Sequence, residues 1–206
     1  MSSEQRVLDV SGLEVGTADS RALLWWGNLA MLAIEGSMFM MTIASFLYLR
    51  MATLDWPPST VPNPDLVLPT VNLALMLLIA IAAFVVDRAA LRDEVHVAML
   101  GQAVCILAAI AILVIRFLIM RDIGFKWSSH AYGSVVWFAV GLHTFHVLAA
   151  LAETALLFVY SSFKPVIKKH LLDYRSVAVY WYFVVLMWIP FYVLIFLQPW
   201  MSRKGY

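Results

Sequence analysis

Charge is scarce in this 206-residue chain: 14 Lys and Arg with 13 Asp and Glu make up 13% of it, against roughly a quarter in a soluble domain. So little charge cannot coat a water-exposed surface, and the balance of +1 leaves no electrostatic footprint for nucleic acid. Cysteine is scarcer still. The single Cys105, set in an apolar run, excludes an internal disulfide and a thiolate metal framework. Long polar connections are absent, so no soluble domain is inserted between the apolar runs. Residues 1–20 carry Glu4, Asp9, Glu14 and Asp19 without the apolar core of a cleaved signal peptide. They read as a polar tail, with the first span acting as its own insertion signal. There is no internal repeat.

What is abundant is apolar, at 63% of residues. Five segments are long enough, at about 1.5 Å per residue, to cross a bilayer: Leu23 to Leu49, Leu66 to Val86, Val97 to Met120, Tyr132 to Tyr160 and Val177 to Leu197. The fold class is therefore all-α, an integral membrane bundle of five transmembrane helices forming one domain over residues 21–206. Short connections make sequential helices antiparallel neighbours, because exposed backbone inside hydrocarbon would stay unsatisfied.

Basic residues set the orientation. Arg6, Arg21, Arg88, Arg92, Lys164, Lys168, Lys169 and Arg175 flank one face, whereas Arg50, Arg121, Lys126, Arg203 and Lys204 flank the other, joined by Arg116 within the third span. The count favours a cytoplasmic N-terminus and an outer C-terminus. The basic cluster of Lys164, Lys168, Lys169 and His170 reads as a topology signal with attraction for anionic lipid. Trp25, Trp26, Tyr48, Trp56, Trp127 and Trp200 read as interfacial anchors. Pro190 is expected to kink the last span.

Glu35 is the residue that most needs a partner. It lies near the middle of the first span, where an ionised carboxylate costs several kcal/mol unless it faces other helices or a specific polar group. The fourth span offers His143, His146 and Glu153, which share a stripe with Ala150 at offsets of three, seven and ten. A contact between Glu35 and His146 is feasible from their depths. A structural hydrogen-bonded pair, a proton-handling pair and a metal or haem site all remain open. A bis-histidine haem would need a second mid-membrane histidine, but His96, His130 and His170 sit at span edges or in loops. Methionines in apolar spans are more simply packing residues.

The run from Tyr132-Gly133-Ser134 through Trp137 and Phe138 to Gly141-Leu142-His143-Thr144-Phe145-His146-Val147 resembles the signature helix of subunit III of the haem-copper oxidases. Glu35, with Met38 and Phe39 beside it, occupies the place of that family's carbodiimide-reactive glutamate. Pro69-Thr70-Val71-Asn72 resembles the start of the family's next helix, and Tyr180-Trp181-Tyr182-Phe183 through Trp188 its closing helix. Together these cover nearly all of residues 21–200. Departures mark a divergent member: Tyr182 and Val185 stand where histidine and aspartate are usual, Arg175 replaces an acid, Arg116 and Ile119 replace a Gln and Glu pair, and Glu153 is extra.

The resemblance implies an accessory subunit with no catalytic residues, haem or copper of its own. Haem and copper are expected in a partner subunit I, on which this chain packs while holding phospholipids and supporting proton uptake. It implies a buried cluster of Glu35, His143 and His146, with Glu153 adding a carboxyl group and Tyr182 a hydroxyl. The five-helix form lacks two helices that enclose a lipid cleft in seven-helix members, and resembles bacterial subunits, hence a bacterial inner membrane. A nitric oxide reductase accessory protein is an alternative. Two other classes are a haem b anchor for quinone chemistry and a small transporter using Glu35 and Glu153 as proton sites.

Overall fold

The computed structural model describes residues 23–163 and 171–204, the last two as backbone. The 1–20 tail and the cluster from Lys164 to His170 lie outside the described residues. Among those described, every regular element is helical: α1 (Leu23–Ala52), α2 (Val67–Leu91), α3 (Val95–Arg121), α4 (Ala131–Phe163), α5 (Leu171–Tyr192), a π-helical turn (Val193–Leu197) and α6 (Gln198–Lys204). The last three run on as one span, Leu171–Ser202, giving five helices long and apolar enough to cross a membrane. The shortest, 25-residue α2, is about 37 Å long, more than the ~30 Å hydrocarbon thickness.

The chain turns where the backbone lets it. Asp65 accepts the Val67 N–H at 3.0 Å and so opens α2, with Pro69 in the first turn, where its missing donor costs nothing. Between α2 and α3, Asp93 takes a left-handed φ of 55°, and the Glu94 N–H reaches back to the Ala89 carbonyl at 2.9 Å. The resulting tight turn holds the two helices antiparallel. They then approach closely through small residues. A Cβ on Gly101 would sit 2.6 Å from Val86 Cγ2, so only glycine fits there without a shift.

Helix α5 is the axis of the bundle, packed against α2, α4 and α1 and burying Tyr174, Trp181, Val184, Trp188 and Phe191. Helix α1 is peripheral: only Phe39, Thr42 and Phe46 of its 30 residues are buried. Pro190 does not end the last span. It leaves a carbonyl one turn back without a donor, and the wider π turn begins three residues on. The starts of α1 and α5 and the α2–α3 turn share one face of the bundle, called the amino-terminal face below.

The Tyr132-Gly133-Ser134 run fastens the α3–α4 loop. The Gly133 N–H donates to His130 Nδ1 at 2.8 Å, capping α4. A Cβ on Gly133 would meet the Lys126 carbonyl at 2.7 Å. Ser134 Oγ donates to the Trp127 carbonyl at 2.8 Å, and the Tyr132 ring packs on Trp56 at 5.0 Å.

Candidate functional site

Two polar networks meet α4 from different sides, and each holds one histidine. On the α1 side, His146 Nδ1 lies 2.7 Å from the Leu142 carbonyl. A carbonyl only accepts, so Nδ1 carries a hydrogen, and Nε2 is the ring nitrogen that points outward. Nε2 lies 3.8 Å from Glu35 Oε2. That is beyond hydrogen-bond distance, and this buried oxygen has no partner among the described residues. Tyr180 of α5 couples electrostatically to the Glu35 carboxyl group. Glu153, two turns along α4, couples electrostatically to Glu35 and Tyr180. Its own position is on the outside of the bundle.

The second network is built on Arg116, which is 2% exposed. Its Nη1 donates to His143 Nδ1 at 2.7 Å and to Thr144 Oγ1 at 3.3 Å. Its Nη2 donates to Asn72 Oδ1 at 3.0 Å, and the guanidinium carbon stands 3.9 Å from the Trp188 ring centroid. A guanidinium cannot accept, so His143 Nδ1 must, which leaves the hydrogen on Nε2. Nε2 donates it to the Val184 carbonyl at 2.8 Å. Asn72 is itself held by its Nδ2, which donates to the Ile112 carbonyl at 3.0 Å. Every hydrogen-bond acceptor is neutral. Among the described residues no carboxylate lies within ion-pair distance of Arg116, so its charge is dispersed over three acceptors and an aromatic face.

Phe39 separates the networks. It is fully buried, and its ring centroid is 4.8 Å from that of His146 and 6.1 Å from that of His143. The structure thus brings Glu35, His146 and Glu153 to one side and sets His143 on the other. At about 100° per residue, His143 is rotated some 60° around α4 from His146, whereas Glu153 is only about 20° from it.

Tyr182 stands apart from the expected cluster. The charged and polar groups that act on it are Asp87, Arg88 and Cys105, whereas Tyr180, about 200° away on the same helix, is the tyrosine of α5 coupled to Glu35. Helical phase was the available signal. Arg116 is core rather than flank; an arginine deep in an apolar span, opposite Asn72 and His143, was the sign of it. Among the described residues, no group of three or more His, Cys, Asp or Glu could hold a metal ion.

The family model for cytochrome c oxidase subunit III matches residues 22–202. The chain belongs to the cytochrome c oxidase subunit III family. Relatives named cytochrome c oxidase subunit 3 include that of Emericella nidulans, 27% identical over 144 residues that cover 69% of this chain and 53% of the relative. That of Anopheles gambiae is 22% identical over 180 residues, covering 84% and 68%, and that of Homo sapiens 22% over 142 residues, covering 68% and 54%. The chain spans about half the length of most of these relatives. The three relatives named here come from eukaryotic organisms.

Proposed function

We propose that the chain is an accessory, non-redox subunit III of a respiratory haem-copper oxidase. It packs on a haem- and copper-bearing subunit I, holds phospholipid, and supports proton uptake and durability during turnover. The family match over residues 22–202 carries this reading. The periphery of the bundle supports it: α1 exposes Met31, Met38, Met40, Met41 and Met51, flexible side chains suited to packing on a partner. The basic residues that flank the spans support a cytoplasmic amino-terminal face, in what we read as a bacterial inner membrane.

The test is purification of the tagged chain from native membranes in mild detergent, with an optical spectrum before and after the chain is stripped away. The expected result is a co-purifying partner that carries haem and keeps its spectrum once stripped. A Soret band that stays with the purified chain, or a complex with no haem, overturns the reading.

A further inference from the structure

A cleft of about 780 Å³ opens between α1, α4 and α5 at the amino-terminal face. Its walls are apolar, yet they carry Asn28, Asp173, Ser176 and Glu153. Among the described residues, Asn28 Nδ2 and Ser176 Oγ are buried without a hydrogen-bond partner, and so is Glu35 Oε2. Asn28 and Ser176 lie at one level in the cleft, and Glu35 lies one turn beyond Met31, the innermost α1 residue of its lining; three such orphaned polar atoms would be costly in hydrocarbon. Buried polar groups without protein partners are satisfied by water, and a polar cleft of this size has room for it.

We propose that this cleft is a water-filled, blind proton inlet that connects Glu35 to the amino-terminal face and opens sideways at Glu153. It deepens the supporting role proposed above and rests on it for its purpose. The step is a reversible protonation. A hydrated proton is taken up on Glu35 Oε2 and leaves by the same water, or passes laterally to Glu153. Nothing is oxidised or reduced. The groups that face Glu35 are His146 and Glu153 from α4 and Tyr180 from α5.

The inlet is blind for two reasons. Phe39 is fully buried and packs against both histidines, so no water path continues beside His146. Beyond it stands the Arg116 cation with only neutral acceptors, a charge that repels protons and other cations. Glu153, by contrast, lies on the outer surface of the bundle, where a partner can reach it. The arrangement offers protons to a neighbour without leaking them across the membrane.

Water access is tested by cysteine reactivity in a Cys105→Ser background, with the full chain in lipid nanodiscs and a cationic methanethiosulfonate as probe. Asn28→Cys, Ser176→Cys, Glu153→Cys and Glu35→Cys are compared with Leu107→Cys. Leu107 is lipid-exposed and about 18 Å along α3 from that face, against about 15 Å for Glu153 along α4. Because thiolates form only where water reaches, the cleft positions should react at least about tenfold faster than Leu107→Cys. Gly27→Leu should then plug the cleft, since Gly27 lines it and a Cβ there meets nothing within 4 Å. It should slow the Glu35→Cys reaction about tenfold. Rates no faster than the Leu107 control, or a Glu35→Cys rate unchanged by the plug, overturn the inlet. Neither outcome touches the co-purification test, so the two proposals fail separately.

Discussion

His143 and His146 stand one turn apart on α4, yet they are held by opposite kinds of neighbour. His143 accepts from a buried cation and donates to a backbone carbonyl, with both ring nitrogens engaged at under 3 Å. His146 is anchored through one nitrogen and turns the other toward a carboxyl group it does not quite reach. The first arrangement engages both nitrogens of its histidine, with Arg116 Nε left without a partner among the described residues; the second leaves Glu35 Oε2 and His146 Nε2 open to water. Stability should therefore reside on the Arg116 side and adaptability on the Glu35 side. One turn of helix and one phenylalanine are enough to separate the two roles.

The sharpest way to break that contrast is to remove each histidine in turn. His143→Leu strands an Arg116 N–H and the Val184 carbonyl, and should cost about 3 kcal/mol in denaturant unfolding in mixed micelles. His146→Leu strands only the Leu142 carbonyl, already bonded within its helix, and should cost under about 1 kcal/mol. Equal losses would erase the distinction. Arg116→Met comes next, at about 1–2 kcal/mol, because the charge and its desolvation cost leave together while Asn72 and His143 lose a donor. Double-mutant cycles sharpen the comparison further. The Arg116 and His143 pair should couple by about 1 kcal/mol, and the Glu35 and His146 pair by less than about 0.5 kcal/mol. Comparable couplings would mean that Glu35 and His146 close into a direct bond in the membrane.

The spans were legible because apolar length is a one-dimensional property, and short loops fix antiparallel order. That Glu35 and His146 can approach was legible from depth, since both sit mid-span on helices that must pack; at 3.8 Å they are not hydrogen-bonded. Placing His143 with them was not. A stripe at offsets of three and seven still covers some tens of degrees, and in a bundle that angle decides between α1 on one side and α2, α3 and α5 on the other. Tyr182 answers to a family position in the sequence, while helical phase hands the place to Tyr180. Arg116 was visible as a residue but not as a centre, because its partners Asn72, Thr144 and Trp188 lie on three other helices.

On the open side, Glu35→Ala should change stability by less than about 1 kcal/mol while shortening the active lifetime of the oxidase complex during turnover, with its haem spectrum unchanged. Loss of haem in that variant would give Glu35 a cofactor-holding role and remove it from the inlet.

The smallest effect probes whether the Arg116 side is as dry as the contrast requires. Gln102 of α3 is 1% exposed, and neither its amide oxygen nor its nitrogen has a partner among the described residues. It borders a cavity of about 10 Å³ beside Cys105, Thr154 and Trp181, room for one water at most. If the pocket is dry, Gln102 carries an unpaid desolvation cost, and Gln102→Leu should be neutral or stabilising by up to about 1 kcal/mol. If a water is trapped there, the amide is satisfied, and leucine would expel that water and cost about 1 kcal/mol instead. The sign of this one unfolding difference therefore tells whether hydration stops at the cleft between α1, α4 and α5 or reaches into the core behind α5.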